Sequence, residues 1–291
     1  MLKKTLSLIP QYLIALIPFV CSSCGNGTGD QQSTAAEDTS ASVATSDTGH
    51  VDELTQFKYD KLIGNVPIPF DILRAHSGAG LTYNSDAVNV ASNLSRYSSN
   101  SSKALNLGVY GADLAYTITY EKFTDMGSYL KCAQKLSDDL GIPLAFDQTA
   151  LATYKKYETN KDSLEKIVFN SYTEVDKTLR SNERIGLASL VVTGGWIEGL
   201  YSTLKTLGSA AKTDQSKGLY KKIWEQKNHL EMIISLLGQF KDDKDFLPLI
   251  EECKGIKTVY DGLSVKSDIS ETEAAALLQK VGEVRNRIVA H

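Results

Sequence analysis

Three polar side chains, Asp113, Glu198 and His229, are the candidates for acid–base chemistry in this chain. Carboxyl and imidazole groups can exchange protons with a substrate, so a cleft that brings at least two of them together could serve a hydrolase or a lyase. Asp113 also interrupts an otherwise apolar run, 107–116, where a carboxylate needs a hydrogen-bond donor. We therefore expect Asp113 either to pair with an arginine, a tyrosine hydroxyl or a backbone amide, or to contact a ligand.

The spacing of Glu225 and His229 is the one arrangement that could hold a metal ion. The two residues lie one helical turn apart on the same face, but this spacing is common by chance. The chain contains no HExxH, GxxxxGK[ST] or GxSxG motif, and no metal-type cysteine pair in its body. We expect an ordinary surface pair, no metal site and no cofactor.

Tyrosines at positions 110, 116, 120 and 129 lie close together in the sequence. Their rings could stack on a sugar or a peptide, or they could line the edge of the core. Tyr110 and Tyr116 are therefore candidates for ligand or polar core contacts. Arg285 and Arg287 form a basic pair near acidic residues, and we expect both on a solvated face.

The composition of the 291 residues is that of a globular protein, with 42% hydrophobic and 23% charged residues. This length allows one large domain or two small ones. The formal net charge of −4 gives no strong basic field. Nucleic acid is therefore not an expected partner.

Apolar residues recur at helical spacing in three clear stripes, over 126–140, 164–179 and 274–288. Asn160 precedes the second stripe as a cap, and Ser270 opens the third with a capping-box spacing. Further helices are expected near residues 69–76, 86–96, 102–122, 147–158, 184–211, 217–240 and 243–262. The sequence thus predicts an all-α bundle of about eight to ten helices.

The stretch 185–197 carries no charge and no polar face, which predicts a helix at the centre of the bundle. It is too short to cross a bilayer, which needs roughly 20 residues. Gly194 and Gly195 lie inside it, where glycine disfavours a helix. Either small residues let a neighbouring helix approach closely, or the helix bends there beside a ligand pocket.

The N-terminus has the pattern of a secretory signal, predicted over residues 1–23. Lys3 and Lys4 precede an apolar stretch of about 15 residues that two prolines interrupt, which is short for a membrane span. Residues 25–50 contain no lysine, arginine or aromatic residue and cannot form a core, so 24–50 is predicted to be a disordered tether. Residues 51–291 then form a single helical domain.

The sequence Ser22-Ser23-Cys24-Gly25 resembles the cleavage box of bacterial lipoproteins. The resemblance implies that Cys24 receives a diacylglycerol and fatty acids such as palmitate, and anchors the chain to a membrane. Gly25, the residue after the anchor cysteine, resembles the residue found at this position in lipoproteins that are sorted to the outer membrane. Cys21 and Cys24 also form a Cys-x-x-Cys pair, a redox pattern that here lies inside the export signal, without the strand–helix context.

The run 107–116 resembles a segment of helical lipoproteins of bacterial envelopes, a resemblance that implies no activity. An exported chain enters an oxidising compartment, where Cys132 and Cys253 could form a disulfide. Both also occupy apolar helix positions, so two buried free thiols are equally compatible with the sequence.

Together these features predict a lipid-anchored envelope protein that binds or scaffolds a protein or cell-wall partner. The alternatives are a helical envelope hydrolase or lyase, and a small-ligand sensor with an apolar cavity near Gly194 and Gly195.

Overall fold

The computed structural model describes residues 70–142, 145, 148–182, 184–208, 212–263 and 269–291. The predicted export signal, Cys24 and the predicted tether lie outside these residues. Within them the chain forms nine α-helices and no strand, which confirms the predicted all-α bundle. The helices are α1 (Phe70–Arg74), α2 (Asn100–Thr119), α3 (Phe123–Asp139), α4 (Gln148–Lys156), α5 (Lys161–Ser181), α6 (Ile185–Leu207), α7 (Lys217–Leu237), α8 (Leu247–Asp261) and α9 (Glu271–Ala290).

The three apolar stripes form α3, α5 and α9, and their predicted caps are in place. The Asn160 side chain accepts a hydrogen bond from the Ser163 backbone amide at 2.9 Å and starts α5. Ser270 and Glu273 form the reciprocal capping box that starts α9. Gly141, with φ of +69°, follows the end of α3, because glycine adopts this left-handed conformation without strain.

The helix predicted over 86–96 is absent, and this prediction was wrong. Two short 3₁₀ turns, Ser85–Ala87 and Ala91–Arg96, flank an extended stretch instead. Side chains compete for the backbone here, because the Asn84 side chain accepts a hydrogen bond from the Asp86 amide. The Asn89 amide, moreover, donates to Asp113 on α2 rather than within its own segment.

Helices α2 and α6 form the centre of the fold and pack against each other more extensively than any other described pair. Contacts run from Leu105 beside Gly194 to Tyr116 beside Thr206, so residue numbers increase in the same direction along both helices. The two helices are therefore parallel. Helices α3 and α5 pack against α2, and α7 and α9 against α6. Nearly all of α6 is buried, as predicted for the central apolar helix.

Glycines allow the close approach of α2 and α6. A Cβ added at Gly194 would lie 2.0 Å from the Leu105 carbonyl oxygen, and one added at Gly108 would lie 2.1 Å from that of Val191. The backbone of α2 thus fills the space beside Gly194. Of the two interpretations of these glycines, the geometry supports close helix packing.

No helix in the described part of the chain combines the length and hydropathy needed to cross a membrane.

Candidate functional site

Asp113 and Glu198 meet at the interface between α2 and α6, where both side chains are fully buried. Arg285 reaches them from α9 and is itself buried. Its guanidinium forms a bidentate pair with Glu198, with Nε to Oε2 at 2.9 Å and Nη2 to Oε1 at 2.8 Å. The Tyr201 ring lies 4.7 Å from the guanidinium carbon and covers the pair. Arg285 is therefore paired with Glu198, whereas Asp113 forms no ion pair among the described residues.

The Asp113 carboxyl has few partners for a buried acid. Its Oδ2 accepts a hydrogen bond from the Asn89 backbone amide at 3.2 Å, and Oδ1 accepts none. The Glu198 carboxyl is its nearest charged neighbour across the α2–α6 interface. Burial, and then the nearby Glu198 carboxylate, raise the pKa of Asp113 well above its usual range, although Arg285 opposes this shift.

Asn89 connects this pair to the rest of the core. Its side-chain amide donates to the Tyr97 hydroxyl at 3.0 Å and accepts from the Asn93 side chain at 2.7 Å. Tyr97 in turn donates to the Val289 carbonyl at 3.3 Å, at the end of α9. These hydrogen bonds hold the segment of 3₁₀ turns over Asp113. They also give the buried side-chain amides of Asn89 and Asn93 hydrogen-bond partners.

Tyr110 and Tyr116 are fully buried and use their hydroxyls within the core. The Tyr110 hydroxyl donates to the Val90 carbonyl at 3.1 Å. The Tyr116 hydroxyl lies 2.6 Å from Thr206 Oγ1 and accepts from the Asn84 amide at 3.0 Å. Both tyrosines make polar core contacts, one of the two roles that the sequence left open.

His229 lies on α7. Its Nδ1 is 3.1 Å from Gln226 Oε1, which also accepts from the Trp196 indole at 2.9 Å. Glu225, the other half of the possible metal spacing, pairs with Lys222 at 2.7 Å. Among the described residues no three His, Cys, Asp or Glu side chains are placed to hold a metal ion.

A second buried titratable group, His76, was not among the sequence candidates. Its Nδ1 lies 2.9 Å from the Tyr120 hydroxyl, and its Nε2 lies 2.9 Å from Thr203 Oγ1. Because Thr203 donates its hydroxyl proton to the Gly199 carbonyl at 2.7 Å, it accepts from Nε2–H, which assigns the neutral tautomer. Burial lowers the pKa of His76 to about 4. No sequence pattern marks this lone histidine as buried.

Arg285 was expected on a solvated face, and this expectation was wrong. Its position four residues after Val281 places it on the apolar stripe of α9, which is the signal that could have identified it. Arg287, two residues further on, is half-exposed and pairs with Glu252 on α8. The sequence interpretation thus suits Arg287 and fails for Arg285.

Cys132 and Cys253 are both buried and both free, the second of the two states that the sequence allowed. The Cys132 thiol donates to the Ala91 carbonyl at 3.8 Å. Burial raises the pKa of the Cys253 thiol to about 12, and burial also raises that of Cys132. Neither thiol is therefore activated as a nucleophile at neutral pH.

Two open grooves lie on the surface of the described residues. One, of about 400 Å³, runs between the start of α3 and α4 and has an apolar floor that includes Met126, Leu130 and Tyr154. Lys155 and Glu158 stand at its rim. The other, of about 500 Å³, has mainly charged and polar walls along α5. The first has the size and lining of a site for an apolar group.

Comparisons of the chain with protein-family models, with curated proteins and with solved structures give no match.

Proposed function

We propose that this protein is a lipid-anchored component of a bacterial cell envelope, and that its helical body binds a partner protein. The anchor is Cys24, in the segment that resembles a lipoprotein cleavage box. The body is a helical bundle whose central helices pack backbone against backbone. This proposal combines the resemblance at the N-terminus with the burial of the candidate catalytic groups.

The environment of Asp113 and Glu198 is the main reason that we favour binding over catalysis. Both carboxyl groups are 0% exposed, and Glu198 is neutralised by Arg285. A hydrolase would need these groups to reach a substrate in a cleft. Their burial supports a structural role for both carboxyl groups.

We place the partner contact in the groove between α3 and α4. Its apolar floor can take a hydrophobic side chain, while Lys155 and Glu158 can make polar contacts around it. Interfaces of this kind are built from an apolar centre and a polar rim. The partner contact is therefore assigned to this face of the body.

The anchor is tested by replacing Cys24 in the full-length chain. Cys24→Ala should move the protein from the membrane fraction to the soluble fraction, because a fatty-acylated cysteine supplies the attachment. Cys21→Ala is the matched control and should leave the membrane fraction unchanged. An unchanged membrane fraction for Cys24→Ala would remove the lipid anchor from the proposal.

The partner surface is tested by crosslinking in intact cells. A photo-crosslinking amino acid at position 155, in the groove, should capture a discrete partner, whereas one at exposed position 254 on α8 should not. Gly127→Tyr should block the groove and abolish the capture, because Gly127 lines it and has open space around its Cβ position. Equal capture from both positions, or capture that survives Gly127→Tyr, would contradict this assignment.

A further inference from the structure

We propose that the folded protein holds one proton on the Asp113 carboxyl, beside the Glu198 carboxylate, at neutral pH, so that folding takes up a proton from solvent. The proposal is independent of the membrane anchor and of any partner. It follows from the arrangement of two carboxyl groups and one guanidinium inside the α2–α6–α9 interface.

The geometry assigns the negative charge to Glu198 and the proton to Asp113. Both oxygens of Glu198 accept hydrogen bonds from Arg285, at 2.8 and 2.9 Å, as expected for an ionised carboxylate. Asp113 receives a single backbone amide, and its Oδ1 accepts no hydrogen bond. A second buried negative charge beside Glu198 would have no cation of its own. A proton on Asp113 removes that charge and provides a hydrogen-bond donor beside the Glu198 carboxylate.

The titratable and charged groups that interact with Asp113 come from the segment before the 3₁₀ turns and from helices α2, α3, α5, α6 and α9. They are Tyr83, Tyr110, Tyr116, Tyr129, Cys132, Tyr172, Glu198 and Arg285. Arg285 is the single cation among them. The Tyr110 and Tyr172 hydroxyls donate to backbone carbonyls, so they are not available to stabilise an Asp113 carboxylate. Ionised Asp113 would thus face one cation already bound to Glu198.

Proton uptake makes the unfolding equilibrium depend on pH with a defined sign. In the unfolded chain Asp113 is ionised above pH of about 4, whereas in the folded chain it keeps its proton. Raising the pH therefore favours unfolding. One proton taken up on folding corresponds to a tenfold rise in the unfolding constant for each pH unit.

The test compares the wild-type protein with Asp113→Asn, whose carboxamide can accept from Asn89 and donate to Glu198 without a titrating proton. Between pH 5 and pH 7 the ratio of the wild-type to the variant unfolding constant should rise about tenfold per unit, measured by urea denaturation. A ratio that stays constant with pH would overturn the proposal.

An infrared measurement on the wild-type protein keeps the test valid if Asp113→Asn does not fold. A protonated-carboxyl band should persist at pH 7 and should shift when aspartate, but not glutamate, is labelled with ¹³C. Absence of the band would overturn the proposal. A shift with labelled glutamate would instead place the proton on Glu198 and contradict the assignment to Asp113.

Discussion

Arg285 is the cation paired with the buried Glu198 carboxylate, beside a second buried carboxyl group on Asp113. Removing one member of a buried ionic group is far more costly than removing a surface pair, since the remaining charge loses both water and its partner. Arg287, on the same helix, makes a similar pair with Glu252 at the surface. The two arginines therefore provide a matched comparison of buried and exposed ion pairs.

Arg285→Met should lower the free energy of unfolding by about 3–5 kcal/mol, because Glu198 and Asp113 would then share the core without a cation. Arg287→Met should cost under about 1 kcal/mol, since water can solvate Glu252 after the change. Methionine and arginine have similar helix propensities, so the difference reports on the ion pairs. Urea denaturation at pH 7 measures both values. Equal losses would show that burial of the Arg285 pair does not determine its contribution.

The sequence singled out Asp113 because it interrupts an apolar run, and Glu198 as a polar group that could take part in acid–base chemistry. It could not identify which donors they meet, since Asn89 and Arg285 come from segments 24 and 87 residues away. The position of Arg285 on an apolar stripe was visible, but a neighbouring arginine suggested a surface pair. Partners of buried charges depend on tertiary packing, which a periodicity argument does not include.

At the scale of elements, the glycines of α2 and α6 set the distance between the two central helices. Gly194 and Gly108 each face a backbone carbonyl of the opposite helix, at positions that a methyl group could not share. Gly127 on α3 is different, because no atom lies within 4 Å of its Cβ position. Replacement of glycine by alanine should therefore change the stability of the protein in opposite directions at Gly194 and at Gly127.

Gly194→Ala should destabilise the protein by roughly 1–3 kcal/mol or more, because its Cβ would displace the backbone of α2. Gly127→Ala should stabilise it by about 0.5–1 kcal/mol, the ordinary gain in an exposed helix. Thermal or urea unfolding of both variants tests this prediction. A stabilising effect at Gly194 would mean that the α2–α6 distance is not set by this contact.

Element prediction from the sequence succeeded where local signals agreed and failed where side chains made non-local bonds. The stripes of α3, α5 and α9 coincide with caps or stop signals, so local propensity and burial favour the same helices. Residues 86–96 have helical spacing as well. There, however, the Asn89 amide bonds to Asp113 and the chain follows the surface of α2 instead.

At the scale of the whole molecule, His76 and Asp113 lie along the same α2–α6 interface. Their pKa shifts change the stability of the fold in opposite directions as the pH rises. His76 meets Thr203 on α6, five residues beyond Glu198. Its pKa falls to about 4 on folding, so its contribution to stability is present above pH 6.5 and is lost as the pH falls toward 4. The raised pKa of Asp113 gives a contribution that is lost as the pH rises.

A comparison of four proteins separates these effects: wild type, His76→Gln, Asp113→Asn and the double variant, which serves as the reference. Relative to this reference, the free energy of unfolding of Asp113→Asn, which keeps His76, should rise by roughly 1.4 kcal/mol per pH unit from pH 4 to 6.5 and then level off. His76→Gln should lose stability at the same rate from about pH 4 upward. Wild type combines both and should stay level to pH 6.5 and decline above it. Parallel profiles for all four proteins would contradict this assignment, because surface carboxylates common to all of them cancel in the comparison.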